Sequence, residues 1–338
     1  MRRPHGESRS DIAAIGTGRS ADVSARWNSA PLLTVIQFLA LVAMTATVAT
    51  RYWQDHVWFG WGIAALSALV WLPELRRPVL RVRVWWFGYV AGIFIYTLLR
   101  SYADDTGIPV RARYVVEVDQ LLFLGVQPVH WLQERLFVPH DLSWLDYLVV
   151  QVHWSFFVVP HAAAVAIFLF RREQFARYAL AVVATMYAGL LLFFLVPTAP
   201  PWLAARSGDL PHVWRIMDVV GGRVDGETYE AFYASLGEPN SVAAMPSIHI
   251  AVTFLLFLWA RHYARRLAVP ALLYTFAMAF ALVYMAEHYV LDLAVGALVA
   301  WLCYIAAGRL VDAWHDLGAA GEPVSLRRLL VNARRGRH

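Results

Sequence analysis

Two short stretches near the C-terminus hold the side chains best suited to chemistry. One reads Met245-Pro246-Ser247-Ile248-His249, and the other reads Glu287-His288-Tyr289-Val290-Leu291-Asp292. Each borders a long apolar segment, where ionisable groups are costly and mark function by default. His288 and Asp292 are four residues apart, a spacing that puts both on one face of a helix. A carboxylate one turn from an imidazole accepts the proton of one ring nitrogen and leaves the other as nucleophile or base. Ser247 has the residue type of a helix N-cap, and its hydroxyl with the free N–H groups of the first turn makes an anion site. Two imidazoles beside such a site suit phosphoryl transfer. One attacks phosphorus while its Asp partner stabilises the imidazolium, and the other protonates the leaving oxygen. The His288–Asp292 pair also fits a structural hydrogen bond, or two ligands of a metal. Metal sites want three or more protein ligands, and only Glu287 adds to this cluster, so no metal and no other cofactor is expected. His56, His130, His140, His161, His212 and His262 read instead as headgroup-level residues at span ends.

The elements that carry these residues are membrane helices. The 338 residues are 59% hydrophobic and 16% charged, with a mean hydropathy of +0.50. Soluble domains run nearer a quarter charged. The backbone must therefore satisfy itself inside a bilayer. The formal charge is +5, and every basic residue is Arg. These Arg residues cluster between apolar segments rather than along one stripe, which argues against a nucleic-acid partner. The single Cys303 lies inside an apolar run, so no intrachain disulfide is possible, and it reads as a small core residue.

Apolar runs fall roughly at residues 32–50, 57–72, 84–99, 146–170, 178–196, 247–260, 269–286 and 288–307. A span needs about 20 residues, so the helices should extend into the flanks. The expectation is an all-α polytopic protein with about eight transmembrane helices. The loops after the second, fourth and sixth runs carry Arg clusters, as do both tails, whereas the alternate short loops are poorer in Arg. By the positive-inside rule both termini are cytoplasmic. The same rule puts Ser247, His249 and His288 together on the outer side of the cell membrane.

Residues 1–30 are polar and Arg-rich and read as a disordered cytoplasmic tail. Residues 31–83 hold two added N-terminal helices, 84–308 the catalytic core, and 309–338 a basic cytoplasmic tail with a short interfacial helix around Val324 to Val331. Two outer segments are too long for plain turns. Residues 100–143 read as one or two amphipathic interfacial helices. Residues 197–246 combine Pro197-Thr198-Ala199-Pro200-Pro201-Trp202 with a helical stretch around Glu227 to Leu236. Long ordered loops of this kind are usually lids or binding walls.

These residues together resemble the type 2 phosphatidic acid phosphatase superfamily, and more narrowly its branch related to inositol phosphorylceramide synthases. Pro246-Ser247-Ile248-His249 resembles the family's PSxH, and His288 to Asp292 resembles its HxxxD. Pro197 to Trp202 is similar to the proline-rich segment of the synthase branch. Asp119-Gln120-Leu121-Leu122-Phe123 and Tyr96-Thr97-Leu98-Leu99-Arg100 are weaker echoes. The resemblance covers about residues 85–305. It implies a six-helix core with two helices added in front, a phospho-histidine intermediate on His288, Asp292 as its orienting partner, His249 as general acid, and no metal.

The departures from the family pattern are informative. The family's KxxxxxxRP segment is absent. Its SRxxxxxHxxxD would place Ser and Arg at Ala281 and Leu282, so the guanidinium that clamps phosphate bidentately must come from elsewhere. Arg100, which ends an apolar run on the outer side, is the first candidate, followed by Arg206, Arg215 and Arg223. Each also fits an interfacial side chain that snorkels to water. The branch carries a His before its Phe-Val-Val-Pro; Phe156 stands there, and His153 lies one turn earlier on the same face as a possible substitute.

The function expected is transfer or hydrolysis of a phosphate-linked group on a lipid at the outer leaflet, with transfer slightly favoured. Donors would be a phospholipid or a polyprenyl phosphate, and the acceptor water or an alcohol such as inositol or a sugar. Two rivals come from other classes. A transporter with a His/Asp relay would want polar groups near the midplane and inverted repeats. A catalytically inactive lipid-binding scaffold would not need His249, His288 and Asp292 intact.

Overall fold

The structure, a computed structural model, describes residues 80–100, 107–224 and 242–319, with Tyr102, Ala103 and isolated helical positions near both ends. Most of the first two expected spans, the expected tail over residues 1–30, the stretch around Glu227 to Leu236 and most of 324–331 lie outside the described residues.

The described residues are all-helical. In chain order the helices are α1 (Leu80–Arg100), α2 (Arg113–Leu122), α3 (Pro128–Leu136), α4 (Trp144–Ser155), α5 (Val159–Phe170), α6 (Arg172–Leu195), α7 (Pro201–Ser207), α8 (Ile216–Val224), α9 (Ile248–Tyr263), α10 (Ala268–Tyr284) and α11 (Val290–Ala319). Extended pairing among them is confined to two isolated parallel bridges, from Thr198 to Arg111 and to Ala243.

Three stretches, Arg172–Leu195, Arg265–Tyr284 and Val290–Leu317, are long and apolar enough to cross a membrane. The apolar run at 146–170 is not one rod. It is α4 and α5, bent by 43° at a short break, and the pair passes the same test together. Pro160 sits in the first turn of α5. Proline there has no N–H to give the preceding turn and crowds its carbonyl, so the helix restarts rather than continues. The Val84–Arg100 part of α1, and α9, are apolar but shorter. Length and composition thus give three or four candidate crossings among the described residues. The last helix also overruns its apolar segment and continues as helix to Ala319.

α6 is the central rod, with α1, α9 and α11 packed along it, and α9 also lies against α10. At one end an aromatic cluster joins Trp86, Phe168 and Phe175, with ring centroids 4.5 to 5.3 Å apart. Offset and edge contacts at such distances suit the ring quadrupole. Nearby, Arg177 donates to the Tyr263 hydroxyl (2.9 Å) and pairs with Asp312. Asp312 lies about 30 Å along α11 from Asp292, so the bundle has two separate polar ends.

The second polar end is covered by α2, α3, α7 and α8. The apolar faces of α2, α3 and α7, with Val115, Val116, Val129 and Trp202, close over Leu282 and Tyr289, while Ile216 and Met217 of α8 pack with Tyr284 and Met285. Gln133 of α3 locks this cover in place. Its amide donates to the carbonyls of Trp214 and Tyr284 and accepts from the Trp214 N–H, each at 2.8 Å. A buried amide satisfied on both sides fixes one arrangement of the elements around it.

Candidate active site

α10 stops just before the candidate nucleophile. The Glu287 N–H donates to the Leu282 carbonyl (3.0 Å) and the Ala286 N–H to Val283 (3.1 Å). This paired closure needs a left-handed residue after the helix, commonly glycine, and Ala286 adopts it with φ 65°. A non-glycine residue there costs about 1–2 kcal/mol. Burial of Ala286, and its carbonyl accepting from the Trp202 N–H (3.2 Å), hold it there. The turn leaves His288 immediately before α11.

α11 begins at Val290, which makes Asp292 the third residue of its first turn. Asp292 Oδ2 accepts from the Tyr289 N–H (2.9 Å) and faces His288 Nδ1 at 3.3 Å. With Nδ1 engaged, Nε2 is the ring nitrogen left for chemistry. The Ser247 hydroxyl caps α9 by accepting from the Ile250 N–H (3.4 Å), and the Ser247 N–H donates to the Asp292 carbonyl (3.0 Å). So the start of α9, carrying His249, is seated on the start of α11.

The rings of His249 and His288 are 5.8 Å apart between centroids, inclined at 65°. His249 also lies against Phe156 (4.4 Å) and His153 (4.7 Å). His153, His288, Ser247 and Asp292 are all buried. His153 Nδ1, His249 Nδ1 and Asp292 Oδ1 have no hydrogen-bond partner among the described residues. Buried polar atoms are almost always paired, so such a group of unpaired ones is typical of a ligand site.

Close approach of α9 and α11 depends on Gly296, one turn beyond Asp292. A Cβ there would lie 2.3 Å from the Ser247 carbonyl oxygen. Backbone cannot yield as a side-chain tip can. Gly296→Ala is expected to destabilise the fold by about 1–3 kcal/mol through overpacking and to displace His249 from His288. Thermal unfolding in detergent, with turnover measured well below the midpoint, checks both effects.

The sequence-expected arginines divide. Arg100 lies close enough for its charge to act on His153 and His249. Arg215 is committed to an ion pair: its Nε donates to Glu287 Oε1 (2.7 Å), its Nη1 meets Asp218 (3.2 Å), and its guanidinium lies over the Trp202 ring. Burial raises the Glu287 carboxyl, but the charge and hydrogen bond of Arg215 outweigh it and leave the group below the usual carboxylate range. Arg206 lies over Trp202 (4.9 Å), and Arg223 donates to the His140 carbonyl (3.2 Å); neither contact reaches the imidazoles. His161 accounts for itself in a 2.8 Å hydrogen bond with the Tyr89 hydroxyl.

Two features escape sequence reasoning. The Glu287–Arg215 pair joins residues far apart in the chain, one beside His288 and the other in the long covering loop. Asp119, buried on the apolar face of amphipathic α2, accepts from the Val290 N–H (2.8 Å) and the Leu291 N–H (3.0 Å). Its only signal was its place in the weak echo Asp119-Gln120-Leu121-Leu122-Phe123, which gave it no role.

A family model described as the PAP2 superfamily matches residues 113–306, more than half of the chain. The match starts with the first residue of α2 and runs through most of α11. No curated protein and no solved structure matches the chain.

Proposed function

We propose a lipid phosphoryl-transfer activity for this chain, which belongs to the PAP2 superfamily. The observation that carries the reading is the convergence of two imidazoles, 5.8 Å apart, one in the first turn of α9 and one just before α11, with a carboxylate beside the second. His288 Nε2 attacks phosphorus, and the P–N bond forms as the P–O bond to the leaving oxygen breaks. His249 gives its proton to that oxygen. Asp292 holds Nδ1–H and stabilises the positive ring. In the second half His249 takes the proton of water or an alcohol, whose oxygen displaces the histidine from phosphorus. The family acts on lipid phosphates, which suits a site reached from within the bilayer.

Arg100 supplies a positive charge that acts on His153 and His249 in this reading, with Ser247 and the first turn of α9 as the anion cradle. Ala281 and Leu282, fully buried, stand where the wider family carries Ser and Arg, which supports placement in the synthase-like branch. His153, packed on His249, completes the wall of the site. We favour transfer over hydrolysis because α2, α3 and α7 close over the site and limit water. The donor is a phospholipid or a polyprenyl phosphate, and the acceptor an alcohol such as inositol or a sugar. The core comprises six spans, α1, α4 with α5, α6, α9, α10 and α11. Two more precede it, both termini are cytoplasmic, and the site opens outward in the cell membrane.

Purified protein in detergent, given lipids labelled on phosphorus with and without candidate alcohols, tests this. A new phosphodiester is the expected product. Free phosphate alone would make the enzyme a phosphatase. Absence of both, across phospholipid and polyprenyl donors, would overturn the reading.

A further inference from the structure

The first turn of α11 lacks an N-cap of its own. A helix start leaves several N–H groups without intrahelical partners, and the usual remedy is a Ser, Thr, Asp or Asn at the residue before the first turn. Here that residue is Tyr289, which is fully buried and has no short acceptor to offer. Asp292 reaches back to the Tyr289 N–H, which is half of a capping box. The other half comes from α2, about 170 residues earlier. Both carboxylate oxygens of Asp119 are used, one on Val290 and one on Leu291. Asp119 is itself fully buried, one turn after Val115 and Val116 on the inner face of α2.

The division of labour has a consequence for chemistry. Asp292 Oδ2 serves two donors, the Tyr289 N–H and His288 Nδ1, so the ring is aimed correctly only while the first turn stays wound. Winding of that turn depends on Val290 and Leu291 keeping their acceptor. The same two carboxylates also occupy the N-terminal amides of α11, which leaves the start of α9 as the helix terminus for an anion.

Resting on the function proposed above, we infer that Asp119 is a positioning residue: it supplies from α2 the cap that α11 lacks and so holds His288 against Asp292. It touches no reacting atom. Its loss acts on turnover through the geometry of His288.

The test compares Asp119→Ala, Asp119→Asn and Val115→Ala in the full chain. Val115 is equally buried on α2, but its side chain has no acceptor to offer the α11 amides, so its truncation reports a plain packing loss. A misplacement of the nucleophile by about 1 Å costs on the order of 10²-fold in rate. Asp119→Ala is expected to lose about that much in kcat, with KM changed less than about threefold. Asp119→Asn, which keeps one oxygen acceptor, should recover at least about tenfold of it. Val115→Ala should stay near wild type wherever it is folded. Independently of turnover, deuterium exchange of the peptide containing residues 289–292 should accelerate in Asp119→Ala and not in Val115→Ala. Equal kcat losses in Asp119→Ala and Val115→Ala, or unchanged exchange at Val290 and Leu291, would overturn the inference. If Asp119→Ala does not fold, Asp119→Asn carries the same comparison. A wild-type protein with no lipid turnover would instead defeat the functional reading, while the exchange result would still decide whether Asp119 holds the turn.

Discussion

His288→Ala is expected to abolish turnover of any lipid phosphate donor, a loss of about 10⁴-fold or more, as for other enzymes stripped of their nucleophile. The substitution should not unfold the protein. Asp292 Oδ2 would still accept from the Tyr289 N–H, and Asp119 would still cap Val290 and Leu291, so the start of α11 survives. Lipid binding should persist, because the remaining cradle comes from α9. Two readouts make the loss specific to the covalent route. Vanadate, which mimics pentavalent phosphorus, should be trapped by wild type and not by His288→Ala. A donor labelled on phosphorus should leave an alkali-stable, acid-labile adduct on wild type only. Full turnover in His288→Ala would remove the phospho-histidine from the mechanism. Vanadate trapping that survives in His288→Ala would move the nucleophile to another side chain.

The pairing of His288 with Asp292, and the cap at Ser247, were legible because each is local. A four-residue spacing keeps the two side chains within reach, although α11 starts only at Val290 and His288 precedes it rather than sharing a helix face, and an N-cap serine acts on amides two or three residues ahead. The meeting of His249 with His288 was legible only indirectly, through alternation of Arg-rich loops that put both on one side. The cover over the site was half legible. Segments 100–143 and 197–246 announced themselves by length and by prolines. Nothing in them said that Gln133 would bond Trp214 and Tyr284, because long-range pairing leaves no periodic trace.

The break in the run at 146–170 shows the opposite failure. Hydropathy alone favoured one rod, and the apolar run across Phe156, Phe157 and Val158 masked the restart signalled by Pro160. That restart matters, because it brings His153 and Phe156 against His249. Among the arginines, sequence could rank Arg100 first by its place at a span end. It could not foresee that Arg215 would be held by Glu287, since the partners are separated by 72 positions. Asp119 is the extreme case, a carboxylate whose purpose is set entirely by amides at the other end of the chain.

Asp292→Asn is expected to cost about 10⁴-fold in kcat, the size seen when the carboxylate partner of a catalytic imidazole is neutralised in hydrolases. Asparagine has the same shape, and the Asp292 main-chain carbonyl would still receive the Ser247 N–H, so α9 stays seated on α11. What changes is charge and tautomer. In wild type Oδ2 can only accept, which places the proton of His288 on Nδ1 and leaves Nε2 free to attack. One oxygen serves both donors in wild type, so an asparagine that turns its NH₂ toward Nδ1 gives up the Tyr289 N–H as well, and the proton of His288 then moves to Nε2, the nitrogen that must bond phosphorus. The phosphorylated ring also loses the negative group that would balance it. The 3.3 Å separation does not argue against this, since catalytic hydrogen bonds tighten as the reaction proceeds. KM should change little, because the carboxylate faces the imidazole and not the lipid. Single-turnover kinetics separate the readings: slow formation of the labelled adduct with normal donor binding is the expected result. Adduct formation within a few-fold of wild type, accompanied by a lowered thermal midpoint, would reduce Asp292 to a structural brace for the first turn of α11.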